Sequence, residues 1–350
     1  MQAVELPSAR TGPEAVQARS RPWLGRGEAE WLEADGLGGF ASGTVCGVRT
    51  RRYHALLLTA VTPPTGRFVL VNGFEAWLET PGGTIPLSSQ RYGGGPGGEG
   101  ILHPDGFSRI EAFEPDPWPR WSFRLGGGSF VEQELFVPRG EPTVVISWRL
   151  SPPREGPSTV KAVLHVRPLF SGRDYHSLHH ENPAFRFDAA AEGERVSFEP
   201  YPGVPGIDAL SNGRYAHGPL WYRNFLYREE RDRGLDCTED LASPGTFSWD
   251  LSSGEALLLL AAGTGAGAPH PAGASALSRA GELRAAERRR RAAIPSALHR
   301  AADSYLVTRG GGKTIVAAGY ASLKLRTSFS CRMRPVAGPA RSGLRSWASR

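Results

Sequence analysis

From Val45 to about Leu260 the chain is a succession of short apolar runs, broken at close intervals by glycine and proline. The runs cover residues 53–60, 67–71, 107–113, 120–125, 130–137, 143–150, 159–168, 185–188, 196–199, 221–227, 246–251 and 255–261. Alternation of apolar and polar positions is clear in Trp121-Ser122-Phe123-Arg124-Leu125, while the run 130–137 sets apolar ends around a polar middle. Many short strands with turn signals between them predict a mainly β fold, a large antiparallel sandwich. The stretch 92–100 is mostly glycine and predicts a hairpin loop rather than a ligand cradle.

After Gly273 the pattern changes. Residues 274–293 are rich in Ala, Leu, Glu and Arg, contain no β-branched residue and place Glu287 four positions before Arg291, which predicts a helix. Pro295 ends it, and Ser296 is positioned to cap a second helix over 297–307. The first 21 residues are Pro/Ala/Arg-rich without apolar periodicity and are expected to be disordered. The expected organisation is a disordered 1–21, a sandwich over 22–270, a helical linker over 271–320 and a basic tail over 321–350.

The formal net charge of +6 raises the question of nucleic acid, but its distribution answers against it. Residues 321–350 hold seven basic side chains and no acid, which leaves the rest of the chain close to neutral. The run Arg288–Arg291 reads as the solvated face of an exposed linker helix. Cys46, Cys237 and Cys331 are too few and too far apart for a disulfide framework or a paired zinc site. No run suits a signal peptide or a bilayer span, so the expectation is a cytoplasmic protein with no membrane partner. Gly312-Lys313-Thr314 ends like a phosphate loop, but the required first glycine is Val307 and the motif fails. His176, His179 and His180 have no nearby Cys or acid to complete a metal site. No cofactor and no metal are expected.

Three ordered motifs carry a family resemblance. Gly36-Leu37-Gly38-Gly39-Phe40 is followed by Arg51-Arg52-Tyr53-His54-Ala55-Leu56-Leu57; further on come Val166-Arg167-Pro168-Leu169 and Arg173-Asp174-Tyr175-His176. Then follow Trp221-Tyr222-Arg223-Asn224-Phe225, Glu229-Glu230-Arg231, Arg233-Gly234-Leu235-Asp236 and Glu239-Asp240-Leu241-Ala242-Ser243-Pro244-Gly245. Over roughly 22–320 the chain resembles the N-terminal domain of bacterial and archaeal type glycogen debranching enzymes, with Phe40 in place of Tyr and Ala55 in place of Gly. The resemblance implies an antiparallel β-supersandwich, like galactose mutarotase or the glucoamylase N-domain. A helical linker would then lead into an (α/α)6 barrel that holds the catalytic carboxylates. The activity implied for the whole enzyme is removal of α-1,6-linked glucosyl branches in glycogen breakdown. The family continues into a Pro-Trp-Phe-Thr-Asp-Trp-Gly-Arg-Asp stretch that opens the barrel, whereas this sequence runs Ala321-Ser322-Leu323-Lys324-Leu325-Arg326 and on to Arg350. The expectation is a chain inactive by itself, cut before the barrel, with a tail that reflects a change of reading frame or a genuine divergent end.

Hydrolysis of a glycosidic bond needs two carboxyl groups flanking it. Glu229, Glu230, Asp232, Asp236, Glu239 and Asp240 form the densest acidic segment, but Arg228, Arg231 and Arg233 alternate with them and suit a structural or docking role better than a general acid. No residue is assigned as catalytic. Arg51, Arg52, Tyr53 and His54 either bind sugar hydroxyls and a pyranose face or, as alternating residues of a strand, serve a domain interface. Trp221, Tyr222 and Phe225 are either a carbohydrate platform or sandwich core. Arg51, Arg52, Tyr53, His54, Arg173, Asp174, His176, Trp221, Glu239 and Asp240 are therefore the substrate-binding or interface candidates, and the partner is α-glucan (glycogen) or a catalytic (α/α)6 barrel. A stand-alone glucan-binding or partner-docking module is the alternative.

Overall fold

The computed structural model describes residues 29–151, 161–267, 269–309 and 312–315. The expectations for 1–21 and 321–350, and Cys331, lie outside these residues. The first sheet begins with β1 (Glu30–Ala34), β2 (Phe40–Thr44), β3 (Ala55–Thr62), β4 (Thr65–Thr80), β5 (Gly83–Pro86), β6 (Ser89–Tyr92) and β7 (Ile101–Asp105). The chain crosses to a second sheet for β8 (Ile110–Glu114), β9 (Arg120–Arg124), β10 (Phe130–Phe136) and β11 (Thr143–Ser151). It returns for β12 (Val163–Asp174), then adds β13 (Ala189–Glu192), β14 (Arg195–Phe198) and β15 (Ile207–Ser211) to the second sheet. β16 (Arg214–Leu226) and β17 (Thr238–Asp250) rejoin the first sheet around the one-turn helix α1 (Arg228–Arg231), and β18 (Ala256–Ala262) ends in the second. The first sheet runs β1-β2-β3-β4-β12-β17-β16-β6-β7 with β5 on β4, the second β13-β14-β15-β18-β11-β10-β9-β8.

Every ladder is antiparallel, and the two sheets share one core. Ala76 and Leu78 of β4 and Leu164 and Val166 of β12 meet Val144 and Ile146 of β11 and Leu258 and Leu260 of β18 in it. The intervening residues of the second sheet, Val145, Leu257 and Leu259, face outward under a helix. That is why 256–262 reads as an unbroken apolar run: a strand covered on both faces has no solvent side to mark with polar residues.

The covering helix is α2 (Ala276–Ala292). Ser275 caps it by accepting from Ser278 N, and Ala276, Ala280, Leu283 and Glu287 form its buried stripe. The small alanines let it lie close to β18. Ser296 caps the short α3 (Ala297–Asp303) by accepting from His299 N, as its position predicted. Beyond it β19 (Leu306–Arg309) and β20 (Gly312–Ile315) form a hairpin, so Val307 belongs to a strand rather than to the helix end.

Three further expectations are corrected. Residues 51–54 are a turn, closed by His54 N donating to Arg51 O, and the strand starts at Ala55. Residues 185–188 form no strand, because Arg186 N bonds Pro200 O and the aromatic rings of Phe185 and Phe187 pack on Trp221 instead. Of the run Arg288–Arg291, Arg288 and Arg289 are exposed as expected, but Arg290 and Arg291 are not part of a solvated face. Arg291 pairs with Glu33 of β1 and with Glu287, and Arg290 pairs with Glu287 and Asp303. Each guanidinium there serves two carboxylates. Burial holds Glu33 above its ordinary value despite Arg291, while Arg290 and Arg291 pull Glu287 below its own against the opposing effect of burial. The glycine-rich stretch 92–100 does form the β6–β7 hairpin loop, with Tyr92 opposite Ile101.

The 36–40 turn joins these parts. Asp35 Oδ1 accepts from Leu37 N (2.6 Å) and Gly39 N (2.9 Å), and the turn's backbone passes so close that a Cβ on Gly39 would lie 2.3 Å from Asp35 Oδ2 and 2.5 Å from Leu58 O. Gly36 O accepts from Thr308 N of β19 (2.8 Å), and neighbouring Arg139 donates to Asp303 O (2.9 Å) and Leu306 O (2.5 Å). The glycine signature and the helical segment are thus one packed unit.

Candidate functional site

At one end of the first sheet, β12 and β17 bring Arg173 and Glu239 together in the interior. Glu239 is fully buried; its Oε1 takes Arg173 Nε and His179 N (3.0 Å), and its Oε2 takes Tyr227 Oη, Asn72 Nδ2 (3.2 Å) and Arg173 Nη2 (3.3 Å). Burial alone would lower the Arg173 guanidinium, but the Glu239 carboxylate more than offsets this and holds it above its ordinary value. Burial and the same carboxylate push the Tyr227 phenol up. With five donors around it and no exposed surface, Glu239 is closed to a glycosidic oxygen and is a structural centre.

Arg173 carries this anchor outward. Its Nη2 donates to Arg52 O (2.7 Å), and its Nη1 to Asp174 O (3.2 Å) and Tyr175 O (3.3 Å), so one guanidinium fixes the backbones of both surface loops. The Arg52 side chain then ties the loops to each other through His176 O (2.6 Å) and Asp236 O (3.1 Å), while Glu230 Oε1 accepts from Arg52 N (3.1 Å). Asp174 Oδ1 caps the second loop at His176 N (2.9 Å).

On this frame stands a surface cluster of rings. Tyr53 and Tyr175 lie 5.7 Å apart, Tyr53 and His176 5.8 Å, and Tyr175 and His176 3.9 Å between centroids. Tyr53 Oη meets His176 Nδ1 at 3.1 Å, and the Arg67 guanidinium lies 5.5 Å over the Tyr175 ring. His176 and Asp174 are exposed and both tyrosines are half-buried. The result is a set of aromatic faces with polar edges, held by fixed backbone. Such a patch can pack on a pyranose face while its polar atoms meet hydroxyls.

The other candidates divide. Arg51 pairs with Glu30 (2.8 Å) and Glu229 (3.1 Å) beside the cluster. His54 is fully buried; Thr50 N donates to its Nδ1, which leaves Nε2–H to donate to Glu30, so it pins the turn from inside. Trp221 stacks 5.5 Å from His179 against Phe185 and Phe187, packing against the main core. Asp240, on the opposite face of β17 from Glu239, accepts from Asn224 N (2.9 Å) and Glu181 N (3.1 Å) and organises a neighbouring loop. Phe225 is core.

The three histidines part company. His179 is sandwiched between Asp240 O (2.9 Å) and Tyr201 Oη (2.7 Å), with burial holding its pKa below the ordinary value, while His176 sits in the ring cluster and His180 near Asp240. Sequence reasoning passed over Tyr175, Arg67, Asn72 and Tyr227. Tyr175 sits inside the Arg173–His176 motif and was findable there. Asn72 and Tyr227 carry no sequence signal, because their role depends on which strands the sheet sets near β17.

No helix among the described residues is long and apolar enough to cross a membrane. No curated protein matches the chain. The family model described as glycogen debranching enzyme N terminal matches residues 29–258, a span that contains every residue of the Arg173–Glu239 anchor and of the ring cluster above it. The match covers most of the chain, and the protein belongs to the glycogen debranching enzyme N-terminal domain family.

Proposed function

We propose that this domain serves the removal of α-1,6 branches from glycogen as a non-catalytic β-domain, and that its Tyr53–Tyr175–His176 face engages α-glucan. The observation that carries the reading is the pairing of a partly exposed ring cluster with a buried anchor. Arg173, neutralised by Glu239, holds the main chain under all three rings, so the surface is pre-organised and loses little entropy on binding. The glycosidic cleavage itself is assigned to a helical barrel of the family, since Glu239 is sealed and Glu229, Glu230 and Asp232 are each paired with arginine.

Affinity electrophoresis of the native chain through gels containing glycogen tests the reading. Retardation is expected, and Tyr175→Ala should weaken it roughly tenfold, the equivalent of about 1.4 kcal/mol and within the range of one aromatic packing contact. Unretarded native protein, or a Tyr175→Ala variant retarded as strongly as the native one, would refute the assignment. Docking of a catalytic barrel on the same rings is the competing reading. It predicts unretarded native chain together with capture of a separately produced barrel.

A further inference from the structure

Between the sheets, where β2, β4, β6 and β9 converge, lies a cavity of about 80 Å³ that the ring cluster does not use. Trp31, Phe74 and Trp121 line it together with three buried polar side chains whose hydrogen-bonding capacity is unspent: Arg49 Nε and Nη2, Asn72 Oδ1 and Gln90 Oε1. Arg49 is 7% exposed, and its guanidinium lies over the Phe225 ring, 4.8 Å from the centroid. The backbone makes room for it: a Cβ on Gly73 would lie 2.2 Å from Arg49 Nη1. The other deeply buried arginine here, Arg173, has Glu239. Arg49 has no such carboxylate among the described residues, and Glu239 is already spent on Arg173.

A guanidinium cannot shed its proton in a protein, and a buried charge requires a counter-charge. We propose that this cavity binds a small monoanion, of the size of chloride or formate, on Arg49 Nε and Nη2. Asn72 Oδ1 and Gln90 Oε1 are acceptors, since their amide nitrogens already donate to Glu239 and to Phe74 O, and they hold water that completes the anion's shell. The volume suits this. At roughly 10–15 Å³ of such space per water it takes the ion and a few waters, and it falls short of the roughly 150 Å³ cavity that accepts benzene, so it favours a small ion over a sugar ring. Cys46 and the exposed Gly47 line the same cavity and mark the path by which the ion exchanges.

The test is a crystal of the native chain grown in bromide, together with thermal midpoints in chloride and in gluconate at equal ionic strength. The expected results are an anomalous bromide peak within hydrogen-bonding reach of Arg49 and a saturable rise of roughly 2–4 °C in chloride alone. Arg49→Gln should abolish the rise. A cavity that contains only water, an equal rise in gluconate, or a rise that survives Arg49→Gln would overturn the proposal. If Arg49→Gln fails to fold, the bromide map of the native chain decides.

Discussion

Glu239→Gln puts the anchor directly to the test. The substitution keeps the size of the side chain and one carbonyl oxygen, but it removes the charge opposite Arg173, whose side chain is 4% exposed. Breaking a buried ion pair by removing one partner costs about 3–5 kcal/mol, because the surviving charge stays desolvated. Arg173 retains three backbone carbonyls, which places the expected loss near the lower end, about 3 kcal/mol. For a domain of this size that corresponds to a fall of roughly 6–10 °C in the unfolding midpoint. Scanning calorimetry with tryptophan fluorescence would measure it. In Arg173→Met/Glu239→Gln neither charge is left alone, so the double variant should be more stable than the sum of the single losses by about 2 kcal/mol or more. A midpoint for Glu239→Gln within about 2 °C of native, or strictly additive losses, would refute the reasoning.

Asp35 gives a pH prediction. Burial lifts its carboxyl to about 6, against the pull of the turn's N–H groups, so the folded state binds its proton more tightly than the unfolded chain does. Its contribution is fully present below the unfolded value near 3.8 and is lost as pH rises through about 6; Asp35→Asn should flatten that slope in midpoints measured from pH 4 to 7. Gly39→Ala drives a methyl into Asp35 Oδ2 and Leu58 O and should cost about 1–3 kcal/mol by urea unfolding; a neutral effect would mean that the turn relaxes freely. Arg139→Gln removes donors to Asp303 O and Leu306 O, so limited trypsin digestion should cut sooner within 288–300, and an unchanged rate would show that the helical segment is held elsewhere.

Local sequence determined much of this molecule. Short runs separated by glycine and proline specify strands, because a period-2 pattern can bury only one face of a sheet, and the existence of α2 and α3 followed from composition, Ser caps and Pro295. The family motifs were legible as well, since a turn as tight as 36–40 admits few residues besides glycine at Gly39. What each motif residue does was not legible. Arg51, Arg52 and Tyr53 look like the start of a strand until Arg173, more than a hundred positions away, binds the turn's carbonyl. His54 and His176 look alike in sequence, yet one is sealed in the core and the other exposed, because one sits where the turn meets β1 and the other on a loop tip. The basic run of α2 reads as solvated by composition, and only the docking of that helix against β1 brings Glu33 to Arg291. Charges and hydrogen bonds find their partners across the chain, and which strands become neighbours is decided by the shared core as a whole rather than by any local pattern.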